Sequence, residues 1–196
     1  MRTAFALSVV GFLTSAALAG ECVCTSAKIE NGWCGDCSHG YVDAVKISSK
    51  KLFESLDGRK IEKDEIQCAG CKAAAAKGGV CTECKVGFAD GHAYPSMVAY
   101  RLASGKAKDA EKIKCESCKA AAADHGWCDD CKRGMVGPRV FKEKEAYEGA
   151  VKARTILVSA AEAAGKCEAC AVAMVTDGKC EACKVAYKDG KKIETP

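Results

Sequence analysis

Apolar residues in this chain come in short groups separated by glycines and charged residues. Two alternating stretches, "CKVGFADGHAY" and "CKVAYKDGKKI", place Asp90-Gly91 and Asp189-Gly190 between apolar residues, which predicts tight hairpins. "CSHGYVDAV" follows the same pattern in part. "KRGMVGPRVF" puts Gly137-Pro138 where the Asp-Gly pair would stand and predicts a different turn or a linker. Helical spacing appears in "KKLFESL", capped by Ser48 or Ser49 before Asp57-Gly58, and in "PSMVAYRLA", with Pro95 in its first turn and Gly105 beyond its end. The strongest helix covers 142–164. There Ala146, Ala150, Ala153, Leu157 and Ala161 form one stripe, and Glu148 faces Lys152 four residues on. A stripe of small residues predicts close packing against another element of the same chain.

The first apolar run differs from the rest. Arg2 precedes Ala4 to Leu13, and Ala17-Leu18-Ala19 offers a small-residue cleavage site, so residues 1–19 read as a signal peptide. The run of about 16 mostly apolar residues is short of the ~20 that span a bilayer. Glu21 separates "LAG" from Cys22, which argues against a lipid anchor. The expectation is an exported protein, periplasmic or extracellular, with no membrane association after cleavage.

Self-comparison shows a fourfold repeat. Cys24, Cys71, Cys118 and Cys170 are followed, each after nine residues, by Cys34, Cys81, Cys128 and Cys180, so the period is 47, 47 and then 52 residues. All 16 cysteines fall in these units: Cys22, Cys24, Cys34 and Cys37; Cys68, Cys71, Cys81 and Cys84; Cys115, Cys118, Cys128 and Cys131; Cys167, Cys170, Cys180 and Cys183. Units two to four carry C-x-x-C twice, whereas unit one opens with C-x-C. Gly32, Gly79, Gly126 and Gly178 stand two residues before the third cysteine, after Asn31, Gly78, His125 and Asp177, and these pairs predict tight turns. Such turns fold the second cysteine pair beside the first. "AVAM" in unit four reads as an incoming strand, while "KAAAA" in units two and three reads as more helical.

Composition makes the cysteines matter more. Aromatic residues are 6% of the chain, and alanine and cysteine supply much of the 48% hydrophobic content, which argues against a single large core and for small cross-linked units. The net charge of +4, spread over interspersed lysines and acids, gives no sign of nucleic-acid binding.

Doubled C-x-x-C pairs separated by a glycine turn resemble zinc ribbons. The resemblance implies a structural tetrahedral ion held by the four cysteines of each unit. The proline and glycine common in zinc-ribbon knuckles are absent, and Lys72, Lys85, Lys119, Lys132 and Lys184 follow the pairs instead. Four cysteines can equally hold iron. Export favours disulfides without metal, and the same turns bring sulfurs within disulfide range, so both states remain open. Near-uniform spacing favours metal. A redox or metal-carrying role, with iron or copper, is a third reading. Disulfide oxidoreductases place a single C-x-x-C at a helix start, whereas here the pairs are doubled. His39, His92 and His125 occupy unmatched repeat positions and read as solvent-exposed turn residues, while Trp33 and Trp127 read as covers for the cross-linked core.

No H-E-x-x-H, G-x-S-x-G or phosphate-cradling loop occurs, so an enzyme is not expected. The expected fold class is a small metal- or disulfide-stabilised α+β repeat protein, with four four-cysteine knuckle/hairpin modules joined by α-helical connectors. The modules span 20–47, 68–94, 115–138 and 167–196; the connectors are 48–67, 95–114 and the long helix 139–166. The expected role is binding or scaffolding, toward a protein partner whose identity the sequence does not give, with zinc as the cofactor.

Overall fold

The computed structural model describes Cys24 and residues 31–108 and 113–193. The signal-peptide segment and Cys22 lie outside the described residues. In chain order the elements begin with β1 (Trp33–Cys34), β2 (His39–Val42), β3 (Val45–Ile47), α1 (Lys50–Leu56) and β4 (Arg59–Lys60). Unit two adds α2 (Ala69–Lys77), β5 (Val80–Cys81), β6 (Val86–Ala89) and β7 (His92–Tyr94), followed by α3 (Met97–Ala103) and β8 (Lys106–Ala107). Then come α4 (Glu116–Asp124), β9 (Trp127–Cys128), β10 (Arg133–Val136), β11 (Arg139–Phe141) and α5 (Lys144–Ala164). Last are α6 (Glu168–Thr176), β12 (Lys179–Cys180), β13 (Val185–Lys188) and β14 (Lys191–Ile193). The fold is small α+β with antiparallel sheets.

Each sheet is a meander. Units one and four have three strands, whereas β4 and β8 extend the sheets of units two and three to four. Both added strands come from segments expected to be helical connectors. The hairpins close as predicted: Asp90 and Gly91 at φ +48° and +75°, and Asp189 and Gly190 at +46° and +72°, join Ala89 to His92 and Lys188 to Lys191. Gly137-Pro138 also closes a two-residue hairpin, from Val136 to Arg139, with Gly137 at +51°.

The Gly-containing pairs between the cysteines do something else. Gly78, His125 and Asp177 are left-handed C-caps of α2, α4 and α6. The segment joining the two cysteine pairs is therefore a helix in units two to four, and "AVAM" lies within α6 rather than in a strand. Alanine-rich stretches have high helix propensity, and a positive-φ residue ends them cleanly. In units one, three and four the side chain at this repeat position serves the hairpin twelve residues on. Asn31 Oδ1 accepts from the Asp43 N–H at 2.8 Å, His125 Nδ1 from Gly137 at 3.1 Å, and Asp177 Oδ1 from Asp189 at 2.7 Å.

A central apolar core exists, contrary to the compositional expectation. Sixteen buried residues from α1, α3, α5, α6 and strand residues such as Ile47, Val136 and Phe141 form one cluster. Low aromatic content does not prevent it, because alanines let helices approach closely. Ala150, Ala153, Leu157 and Ala160 of α5 have no exposed surface. The stripe is thus shifted from the predicted one: Ala146 is exposed and Ala160 takes the innermost place beside a half-buried Ala161. Ser49 and Ser96 cap α1 and α3, their Oγ atoms accepting from Leu52 and Ala99, and Pro95 precedes the cap rather than lying in the first turn. The same hydroxyls donate to α6, Ser49 to Glu168 at 2.7 Å and Ser96 to the Val175 carbonyl at 2.6 Å.

Candidate metal centres

Three groups of four cysteines and one of three bring their sulfurs within 4.8 Å of one another. They are Cys68, Cys71, Cys81 and Cys84; Cys115, Cys118, Cys128 and Cys131; Cys167, Cys170, Cys180 and Cys183; and, among the described residues of unit one, Cys24, Cys34 and Cys37. The first cysteine of units two to four is the N-cap of α2, α4 or α6, and the fourth residue of the C-x-x-C lies one turn into the helix. The second C-x-x-C spans the tight turn between β5 and β6, or its equivalent. A pure hairpin knuckle pair is therefore not what forms: one pair sits on a helix start, the other on a strand turn.

That places a C-x-x-C at a helix start, the position reserved above for disulfide oxidoreductases. The second pair turns the arrangement into a four-sulfur shell instead. Cys68 and Cys81 are 3.9 Å apart, Cys115 and Cys128 3.9 Å, Cys167 and Cys180 3.8 Å, and Cys183 and Cys167 3.8 Å. Sulfurs at about 2.3 Å from a central ion make a tetrahedron with edges of about 3.8 Å. A disulfide needs about 2.05 Å. No pair in units two to four is at bonding distance.

The inner wall of each shell repeats. Cys71, Ala74, Cys81 and Phe88 form one small buried cluster; Cys118, Ala121, Cys128 and Met135 the next; Cys170, Ala173, Cys180 and Tyr187 the third. The outer cysteines Cys84 and Cys183 are exposed. In the absence of a cation the thiols are inequivalent. The backbone N–H of Cys118 favours the Cys115 thiolate and brings it down to about 7, and the Cys170 N–H does the same for Cys167, also about 7. Burial pushes Cys71, Cys118 and Cys170 up. In units three and four one thiol is ready to ionise near neutrality while its inner neighbour, Cys118 or Cys170, is held protonated first by burial. A divalent cation removes the conflict, because it favours all four thiolates together.

The lysines after the pairs do not face the sulfurs as a group. Lys119 pairs with Glu116 at 2.6 Å and Lys132 with Asp129 at 3.8 Å, all four side chains more than half exposed. Lys85, Lys132 and Lys184, with Ser38 in unit one, adopt positive φ of 47–55°. They stand where a zinc-ribbon knuckle would carry glycine, so the left-handed turn is made without it.

Several side chains depart from the sequence expectation. His39, His92 and His125 are half-buried rather than exposed. His39 and His92 begin β2 and β7, and desolvation lowers the pKa of His125. Trp33 packs on Phe53 with ring centroids 5.6 Å apart, and Trp127 on Tyr147 at 5.4 Å, so both tie their unit to the following helix instead of covering the sulfurs. Sequence reasoning missed the glycines that make this possible. A Cβ on Gly40, Gly87 or Gly134 would stand 2.7, 2.2 or 2.1 Å from the ring of Phe53, Tyr100 or Tyr147. Both sets recur every 47 residues, and that shared period was the available signal. Comparisons with family models, with curated proteins and with solved structures find no match for this chain.

Proposed function

We propose that the protein is an exported scaffold or binding protein whose four cysteine units each hold a structural zinc ion. The observation that carries this reading is the sulfur spacing of 3.8–3.9 Å, the edge of a zinc tetrathiolate rather than the length of a disulfide. Four converging sulfurs around the centres of units two to four leave no ligand position for a substrate, which suits a structural ion. Zinc adds on the order of 10 kcal/mol or more to a small domain that folds around it. Units two to four each bury only four residues in their own cluster, so a contribution of that size decides whether they are ordered. The leader-like N-terminus supports export. Among the described residues no helix is long and apolar enough to cross a membrane. We read the protein as non-enzymatic, its partner a protein, with no role for nucleic acid.

Native mass spectrometry of the protein purified from the exported fraction, with thiols counted after denaturation, tests this. The expected result is four zinc ions per chain and all cysteines reactive once the metal is chelated. A metal-free protein with its cysteines unreactive until reduced would overturn the reading in favour of disulfide staples, and iron in the same stoichiometry would replace zinc.

A further inference from the structure

The sulfur clusters of units two and three share one plan, yet the wall beside them differs. In unit two Ile61 and Val86 pack on the cysteine cluster together with Ile66 and Ala93. Ile113 and Val140 repeat the latter two in unit three, whereas Lys108 and Arg133 stand one repeat beyond Ile61 and Val86. The backbone keeps the equivalence: the Ile61 N–H donates to the Gly91 carbonyl at 3.3 Å, and the Lys108 N–H to the Pro138 carbonyl at 2.7 Å. Charged side chains keep their ends in water and cannot seal an apolar wall. A cavity of about 470 Å³ opens there against Cys115, Cys118 and Cys131, a volume within the range of ligand sites.

Its floor is apolar and its rim is basic. Lys106, Val140 and Met135 are register partners across β8, β11 and β10, so the three share one face of the sheet. Lys142 and Arg133 lie two residues further along β11 and β10 and return to that face. Ile113, Val140 and Met135 make the floor, Lys106, Lys108, Lys114, Arg133 and Lys142 line the cavity, and no carboxylate does. Among the described residues none of the five cations forms an ion pair; Lys108 Nζ donates to the Gly137 carbonyl at 3.2 Å. The sulfurs themselves do not call for this rim. Unit two gathers the same four cysteines with Arg59, Val86 and Pro95 at the places of Lys106, Arg133 and Lys142, and Arg59 is tied to Glu65 at 3.2 Å. Unit four has Val185 at the place of Arg133.

We propose that this cavity docks an acidic segment of the partner protein, its carboxylates against the lysines and Arg133 and an apolar side chain on the floor of Ile113, Val140 and Met135. The proposal rests on the binding role given above and supplies the chemistry of the partner. An inorganic anion leaves the apolar floor wet, and a purely apolar ligand takes water from the cations without replacing it. A segment that carries both kinds of group satisfies both surfaces. Charge of one sign on the rim also speeds and selects the encounter, and makes it sensitive to salt.

The test is fluorescence anisotropy of a labelled peptide of alternating glutamate and leucine, titrated with the full chain as purified, whose metal content is read in parallel by native mass spectrometry. The peptide is expected to bind, and to bind about tenfold more weakly when glutamine replaces glutamate or serine replaces leucine. Lys108→Ile with Arg133→Val rebuilds the wall of unit two and should weaken binding about tenfold with metal content unchanged, whereas Lys72→Gln with Lys77→Gln, the same charge removed elsewhere, should change it less than about twofold. Lys106→Gln with Lys142→Gln repeats the measurement at the rim without touching the wall, and the same direction of loss is expected. Equal weakening by the rim and the Lys72/Lys77 variants overturns the site in favour of general charge attraction. Tighter binding to phosphatidylglycerol vesicles than to the peptide, lost in the same variants, overturns it in favour of a membrane surface. A zinc-loaded chain that does not bind the peptide overturns the proposal and leaves the metal reading intact; a metal-free, oxidised chain that binds it does the reverse.

Discussion

The helix that opens unit four and those that open units two and three present their sulfurs alike, yet they rest on different foundations. α2 and α4 bury only Cys71 and Ala74, or Cys118 and Ala121. α6 buries Cys170 and Ala173 at the same places, and in addition Ala171 and Val175, which belong to the central cluster. The cause is two positions: Lys72 and Ala76 of unit two, like Lys119 and Ala123 of unit three, are exposed, and unit four replaces them with Ala171 and Val175. One ligand geometry is therefore built on two kinds of support, sulfur alone or sulfur plus an apolar hub.

Chelation should separate the two. If zinc is held as proposed, its removal takes from α2 and α4 a contribution of about 10 kcal/mol or more per ion, and hydrogen exchange over 69–77 and 116–124 should rise to that of an open chain. Exchange over α5 and α6 should stay slow, since Leu157 and its neighbours do not depend on sulfur. Equal deprotection of α6 would show that the hub has no stability of its own.

Leu157→Ala addresses the other support. Leu157 has no exposed surface, and such truncations cost about 2–5 kcal/mol. The melting temperature should fall while bound zinc per chain is unchanged. A loss of zinc on this substitution would mean that hub and shells are a single cooperative unit.

Asp43 joins unit one to the hub, and its effect depends on pH. Its carboxylate is 3% exposed, 3.0 Å from Arg154 of α5, and occupies the space a Cβ on Gly137 of the unit three hairpin would need. Burial outweighs Arg154, Arg139 and Lys108 and raises its pKa to about 6. The folded protein therefore holds a proton that the unfolded chain releases near pH 4. From this group stability is greatest below about pH 4, falls as pH rises to about 6 and is flat above, a change of about 3 kcal/mol. Asp43→Asn removes that slope. The difference in unfolding free energy between wild type and variant, measured at each pH so that thiol protonation cancels, should fall across this window, and a flat difference would contradict it.

Gly134→Ala tests how units attach to helices. Its Cβ would overlap the Tyr147 ring, and overpacking of this kind costs about 1–3 kcal/mol. Unit four already has alanine at the equivalent place, Ala186. Thermal melts of Gly134→Ala and Ala186→Gly should show a clear loss for the first and little change for the second.

The parts legible from sequence were those governed by local chemistry. α1 falls on "KKLFESL" with Ser49 as its cap, and the Asp-Gly hairpins close where their positive-φ residues demand. The gathering of the cysteines followed from their period. What failed needed tertiary information. Gly78, His125 and Asp177 were read as hairpin turns because a positive-φ residue serves a turn and a helix C-cap equally well. His125 looked unmatched to Asn31 and Asp177 because the shared property is an acceptor atom rather than a residue type. The hub was hidden because alanine counts little toward a core until close packing is known.

The residue after the last cysteine sharpens the comparison at its finest scale. Lys85 and Lys132, in the units supported by sulfur alone, and Lys184, in the unit that also rests on the hub, all hold φ of 47–55°. An L-residue there costs about 1–2 kcal/mol that glycine does not incur, less the extra freedom glycine gives the unfolded chain. Lys85→Gly and Lys132→Gly should each stabilise their unit by about 0.5–1 kcal/mol, read as slower exchange in α2 or α4 and a higher chelator concentration for zinc release. Lys184→Gly should alter α6 exchange less, because the hub already holds that helix. If all three respond equally, the second support contributes nothing to unit four, and the distinction between the helices collapses.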